Sequence, residues 1–438
     1  MKILRTDQDR DAVIELLNRR PEPQQGTALT LTVAGIIDAV RTGGDEALLK
    51  LTAKFDGIAL TPEQLRVSAE ERERALQTVS ADVIEALRLA KENIIAFHRK
   101  QLPKDWLDIR PDGVILGQRY LPVEAAGLYV PGGVAGTTPL VSSVLMNALP
   151  ALVAGVERII ICTPPTQDGT VNPYLIAAAE ECGITEIYKV GGAQAIAAMA
   201  YGTETIAPVN VIVGPGNQYV TEAKRQVYGF VGLDMLAGPS ELLIIADGDN
   251  DPQWVAADLL SQAEHGPVNE AGSFLLTPDA GLAAAVAEAV RQQMAALSRR
   301  TIAEASLERS GGIVVTTSLD EAFELANFTA PEHLELLVKD PWNHLHRVKH
   351  AGAVFIGPYS TEPIGDYVAG TNHVLPTNGT ARFASGLNVD HFIKKSSIIS
   401  YSSAGLLRNG PAAVKISEVE GLGAHGNAVQ LRLDRLNS

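Results

Sequence analysis

Cysteine is almost missing from this chain. Cys162 and Cys182 are the only ones in 438 residues, too few for a disulfide framework or a thiolate zinc cluster. Long apolar runs are missing too. The most hydrophobic stretch, residues 139–162, is broken by Asn147, Pro150, Glu157 and Arg158, so it does not span a bilayer. The opening stretch MKILRTDQDRDAVIELLNRR carries no apolar signal region. Positive charge is scarce: 36 Lys and Arg against 51 Asp and Glu leave a formal net charge of -15, with the acids spread along the chain. That balance disfavours nucleic acid and anionic membranes as partners. It suits a soluble, cytoplasmic protein with a small ligand, a cationic one included. A G-x-G-x-x-G followed by an acid on the next strand is absent, and so is any internal repeat or low-complexity segment.

What remains is an ordinary globular composition, 46% hydrophobic and 20% charged, over a length that exceeds one core and implies at least two domains. Up to about residue 100 the apolar period is helical, with Gly43-Gly44 separating two helices. From about residue 114 the period changes. Apolar strands (AAGLYV, RIIICT, EIYKV, VNVIV) alternate with helices, then a second series follows (ELLIIA, GSFLLT, GGIVV, HLELL, GAVFI). Such alternation means α/β units with parallel sheets and right-handed crossovers. After residue 380 the pattern weakens into a small C-terminal appendage.

Three glycine-rich turns in the first series, VPGGVAGTTP, VGGAQA and VGPGNQ, stand where strands hand over to helices. They are tight turns, or places where phosphates approach backbone N–H groups at the carboxyl ends of the strands. Among the nine histidines, His346 and His350 would share a helix face, but with basic neighbours and no acid between them they read as solvated surface. More telling is LSQAEHGP, where a helix ends at Gly266-Pro267. Gln262 and His265 lie three apart on one face, yet His265 could equally offset the helix dipole. TAPEHLELLV places Glu332 and His333 at the entrance of a strand, where a histidine base and a proton-relaying carboxyl can share a cleft. PIGDYVAGTNHVLPT offers Asp366 and His373 in what reads as a glycine-rich loop, and EGLGAHGNA offers Glu420 and His425 between glycines.

Together with GLYVPGG, GGAQAIAA, GPGN and AGPSE, these stretches closely resemble the motifs of the histidinol dehydrogenase family, in order over nearly the whole chain. The resemblance implies an α/β fold with two Rossmann-like parallel-sheet domains and small helical N-terminal and C-terminal appendages. Their implied division is residues 1–25; 26–126 with 240–384; 127–239 for NAD; and 385–438, exchanged with a dimer partner. It further implies zinc on Gln262, His265, Asp366 and His425, though Mn²⁺ or Co²⁺ would also be accommodated. His333 becomes the general base and Glu332 the activator of water. Substrate contacts fall on Ser240, Gln262, His265, His333, Asp366, His373, Glu420 and His425, and NAD contacts on Tyr129, Gln194 and Asn217. The implied reaction is the zinc- and NAD-dependent oxidation of L-histidinol to L-histidine through the aldehyde, in a cytoplasmic homodimer. Rival readings are a relative acting on another small alcohol, a zinc hydrolase without coenzyme, and a non-catalytic binding protein.

Overall fold

The computed structural model describes residues 1–20, 28–132, 139–265 and 271–438. In chain order, β1 (Lys2–Arg5), α1 (Arg10–Leu17), α2 (Ala28–Phe55), α3 (Ala69–Thr78) and α4 (Ala81–Arg99) come first. Next are β2 (Trp106–Ile109), β3 (Ile115–Pro122), β4 (Ala125–Tyr129), α5 (Val141–Ala154), β5 (Arg158–Thr163) and α6 (Pro173–Glu181). Then follow β6 (Glu186–Lys189), α7 (Gly192–Tyr201), β7 (Val211–Val213), α8 (Gln218–Val227), β8 (Gly232–Leu233) and β9 (Glu241–Ala246). The chain continues through α9 (Pro252–Ala263), β10 (Gly272–Thr277), α10 (Ala280–Met294), α11 (Arg300–Ser310), β11 (Gly311–Val315) and α12 (Leu319–Thr329). It ends with β12 (His333–Leu337), β13 (Ala353–Ile356), α13 (Glu362–Tyr367), β14 (Ile393–Ser400), α14 (Ser403–Val419) and α15 (Gly423–Asn437).

Two parallel sheets carry the larger of two compact units, which comprises Met1–Gln101 and Glu124–Phe392. The five-stranded sheet runs β6-β5-β4-β7-β8 and the six-stranded sheet β1-β11-β10-β9-β12-β13. Counted from the first strand of each series, both have the order 3-2-1-4-5, with β1 added at the edge of the larger one. In each, the strand order therefore reverses beside the first strand, the crevice where open α/β sheets take ligands. With helices on both faces, the central strands are mostly apolar. In β9, Leu242, Ile244 and Ala246 face the helices α9, α10 and α11, while Leu243 and Ile245 pack on the other side with Val13, Leu17, Phe323 and Leu325. Burying each such Leu or Ile contributes roughly 1.5–3 kcal/mol.

The N-terminal residues are placed differently from their expected domains. β1 is no appendage: it extends the six-stranded sheet by pairing with β11, Ile3 opposite Ile313. Within α2, Gly44 leaves the helical region (φ 52, ψ -137), which is the expected break between two helices. Val33, Ile36, Ile37, Val40 and Leu48 of α2 enter the core of the five-stranded sheet with Ile196, Ile212 and Val220. The division implied by the family resemblance groups these helices with residues 240–384 instead. An amphipathic face says only that a helix is covered, not by which sheet.

The smaller unit is Leu102–Val123 with Ile393–Ser438. Its antiparallel sheet has β3 in the centre between β2 and β14, with Ile393 opposite Pro122 and Ser400 opposite Ile115. Helices α14 and α15 pack together, Gly410 lying against Leu433. No helix among the described residues is long and apolar enough to cross a membrane.

Candidate active site

The amino end of the six-stranded sheet gathers the acid–base residues. Strand β12 lies between β9 and β13, with His333 opposite Leu242 and Ala353. This register brings both entrance residues of β12 to the backbone of Glu241. The Glu241 N–H donates to Glu332 Oε2 at 3.0 Å, and the Glu241 carbonyl lies 3.0 Å from His333 Nδ1. A carbonyl can only accept, so Nδ1 carries the proton and Nε2 keeps its lone pair. That Nε2 is buried, has no hydrogen-bond partner among the described residues, and lies 3.9 Å from Asp366 Oδ1. Burial pushes His333 down to about 3, which keeps the ring neutral. Burial drives Glu332 the other way, well above the ordinary carboxyl range, against the pull of hydrogen bonds from Ser240 and the Glu241 amide. A carboxylate so placed is a stronger base than an exposed one.

The stretch LSQAEH closes a helix, as its sequence suggests. Asp251 caps α9 with Pro252 in its first turn, and the helix runs to Ala263 with Glu264 as its C-cap. Gly266-Pro267, the expected stop, lies outside the described residues. Gln262 is fully buried; Ser240 Oγ donates to its Oε1 at 3.3 Å, and its Nε2 has no partner among the described residues. His265 lies at the rim, exposed, and Glu264 is half-buried.

Asp366 corrects the sequence reading. It sits not in a loop but on α13, a short helix that also carries Glu362. Ligand atoms of His265, Glu362 and Asp366 lie within 4.8 Å of one another. Glu362 was missed, although its spacing of four from Asp366 puts both carboxyls on one helix face. The helix is pinned at its start: the Glu362 N–H donates to Glu335 Oε1 at 2.8 Å, and Thr361 Oγ1 to Asp258 Oδ1 at 2.6 Å. Burial raises Asp366 to about 7. Burial, then the neighbouring Asp366 charge, raises Glu362 to about 8. Two enclosed carboxyls that resist ionising together, beside an imidazole, form a donor set that a divalent cation would relieve. The orphaned amide of Gln262 fits a further polar partner in the same cleft.

His373 completes the cleft. Its Nδ1 lies 3.1 Å from the Asp366 carbonyl and its Nε2 3.5 Å from Ser143 Oγ on α5. Asn372 Nδ2 beside it donates to the Met146 carbonyl at 2.7 Å, so this loop joins the acid–base residues to the five-stranded sheet. There the expected coenzyme residues stand at the carboxyl edge. Tyr129 ends β4, its hydroxyl accepting the Gly192 N–H at 3.1 Å; Gln194 is buried in the first turn of α7; Asn217 caps α8 through the Tyr219 and Val220 amides. Residues 133–138 of the first glycine turn lie outside the described residues.

Glu420 and His425 belong to the smaller unit. Glu420 is the C-cap of α14 and His425 stands in the first turn of α15, not in a loop, and both are exposed. His346 and His350 share no helix face, because the 3-10 helix Pro341–Arg347 ends between them. Cys162 and Cys182 are buried, and burial pushes both thiols up to about 12, so neither is a nucleophile at neutral pH.

The family model described as histidinol dehydrogenase matches residues 18–433. The histidinol dehydrogenase of Thermosynechococcus vestitus is 54% identical over 402 residues, covering 92% of each chain. That of Gloeobacter violaceus is 50% identical over 422 residues, covering 96% of this chain and 94% of its own. The solved structure of histidinol dehydrogenase from Elizabethkingia anophelis superposes with a TM-score of 0.93 at 40% identity, covering 100% of this chain and 99% of its own. With sequence agreeing over more than nine-tenths of the chain and fold over all of it, the chain belongs to the histidinol dehydrogenase family.

Proposed function

We propose that this protein oxidises L-histidinol to L-histidine in the last steps of histidine biosynthesis, using NAD⁺ and a bound divalent metal, zinc by preference. The observation that carries the reading is His333, tied through Nδ1 to the Glu241 carbonyl and with Nε2 lacking a partner among the described residues, beside Glu332 and the His265–Glu362–Asp366 group. His265, Asp366 and Gln262 would hold the metal, with Glu362 as a further carboxylate; Tyr129, Gln194 and Asn217 would line the NAD site. Bound zinc would fix the imidazole and amino nitrogens of the substrate, and bound NAD⁺ would accept hydride in each oxidation.

The chain's own residues handle protons. His333 Nε2 takes the hydroxyl proton as the carbinol carbon gives up hydride, and the nearby Asp366 carboxylate stabilises the imidazolium. For the second oxidation, Glu332 takes a proton from the water that adds to the aldehyde carbon, and the hydrate then loses hydride and a proton to become the acid. Ser240 and His373 orient the substrate. Keeping both oxidations in one buried cleft protects the aldehyde from amines. We extend the reading to a cytoplasmic homodimer in which the smaller unit of one protomer lends Glu420 and His425 to its neighbour. Exposed apolar side chains on that unit, among them Ile109, Ile399 and Val419, support a covering copy.

The reading is tested with purified protein, histidinol and NAD⁺, with and without chelator. Two reduced coenzymes per histidine are expected, and other small alcohols should turn over far more slowly. No gain in reduced-nicotinamide absorbance would sink it. Glu332→Gln should slow the aldehyde-to-acid step more than the alcohol step in single-turnover measurements; equal loss in both would remove its role with water. Replacing Cys162 and Cys182 together by Ser should leave turnover nearly unchanged, whereas selective loss of the second oxidation would point to a thiohemiacetal route.

A further inference from the structure

Lys224 on α8 is a large charged side chain that is only 2% exposed. Its Nζ lies 2.5 Å from Asp234 Oδ1, on a carboxylate with no exposed side-chain surface, and 2.9 Å from the Gly214 carbonyl. The other carboxylate oxygen accepts the Gly214 N–H at 2.8 Å, and Oδ1 also takes the Met235 N–H at 2.6 Å. One ion pair therefore engages both backbone groups of a single glycine. Buried charges persist only when paired and hydrogen-bonded, and this pair spends its bonds on the turn between β7 and α8. Gly214 needs that hold. Its φ of +113° is open to glycine, and a Cβ there would stand 2.1 Å from the Tyr129 carbonyl.

We propose that Lys224 and Asp234 are positioning residues that set the Gly214–Asn217 turn in register with the acid–base cleft. Asp234 opens the segment 234–240, which leaves the five-stranded sheet and runs to Ser240 and Glu241, the residues that hold Gln262, Glu332 and His333. The segment is fixed on the way: Thr221 Oγ1 donates to the Ala237 carbonyl at 2.9 Å, and the Gly238 N–H to Thr377 Oγ1 at 2.6 Å. The carboxylate of Asp234 is thus the joint between the turn and the cleft. The inference rests on the NAD reading of that turn, and both side chains are buried, so their part is to position the turn.

The test uses the full-length, metal-loaded protein with Lys224→Met, Asp234→Asn, Lys224→Arg and Asn217→Ala. NADH binding is read by fluorescence, histidinol binding without coenzyme by calorimetry, and kcat/KM for each substrate separately. For Lys224→Met and Asp234→Asn, kcat/KM for NAD⁺ should fall by up to about 10²-fold, the scale of an ångström misplacement. NADH binding should weaken, histidinol binding should hold, and Lys224→Arg, which keeps the charge, should recover part of the loss. A lower melting temperature with unchanged NADH binding, or equal loss for both ligands, overturns the inference, since the pair then only supports the fold. Should Lys224→Met not fold, the isosteric Asp234→Asn decides by the same readings. Asn217→Ala separates the two possible failures. If it weakens NADH binding while the pair variants do not, the positioning role falls and the NAD reading stands. If none of the variants weakens it, both fall.

Discussion

His333→Asn leaves the metal bound and slows turnover about 10²- to 10⁴-fold, the contribution a placed general base makes. The expectation follows from the two ends of the ring. Nδ1–H serves the Glu241 carbonyl at 3.0 Å, and an asparagine amide can still donate there, so the entrance of β12 keeps its anchor. Nε2 is the end with no partner among the described residues, and asparagine puts no basic nitrogen in its place. Metal content should survive because His265 follows α9 while Glu362 and Asp366 stand on α13; none of them lies on β12. The check combines elemental analysis of the purified variant with single-turnover rates for the alcohol and the aldehyde. Loss of metal along with activity would show His333 to be a ligand, and undiminished rates would remove it from catalysis.

Much of this site was legible from residue order. Alternating apolar strands and helices fix two parallel sheets, and β9 shows why: with both faces covered it needs no polar residue after Glu241. Glu332 and His333 stood out because a polar pair at the entrance of an apolar strand is costly unless used. Other features depend on pairings that local pattern does not encode. β1 joins β11 across some three hundred residues, and β3 pairs with β14; neither register leaves a mark on the short strands involved. The common 3-2-1-4-5 order of the two sheets left no sequence repeat, since topology constrains hydrophobicity and not identity. Carboxyl ends of strands were the expected ligand edge for the first series, whereas Glu332 and His333 read as strand-entrance residues, and the six-stranded sheet gathers them at its amino end, where β9 and β12 begin. Glu362 went unseen because EPIGDY reads as a turn. Its helix is held by Glu335 and Asp258, acids distant in sequence, rather than by helix propensity.

Asp366→Asn should strip the metal and abolish turnover. Asp366 sits where the cleft's groups meet, with His333 Nε2 and His373 Nδ1 each 3.9 Å from its Oδ1 and with His265 and Glu362 in the ligand group. Asparagine keeps the volume and a carbonyl oxygen but removes the charge that a divalent cation needs in a buried pocket. Outer partners of a metal ligand typically contribute 10- to 100-fold in affinity, so losing a charged ligand should cost about 10²-fold or more. The metal-free protein gives the opposite sign. Burial, opposed by the hydrogen bond with Glu362, leaves Asp366 raised to about 7, so ionising it without a cation is unfavourable, and the neutral amide should leave the melting temperature of stripped protein unchanged or higher. Zinc titration by calorimetry and thermal denaturation with and without chelator measure the two effects on one sample. A variant that binds zinc as tightly as the parent and still turns over would take Asp366 out of the metal site, whereas a variant that merely unfolds would show its role to be structural.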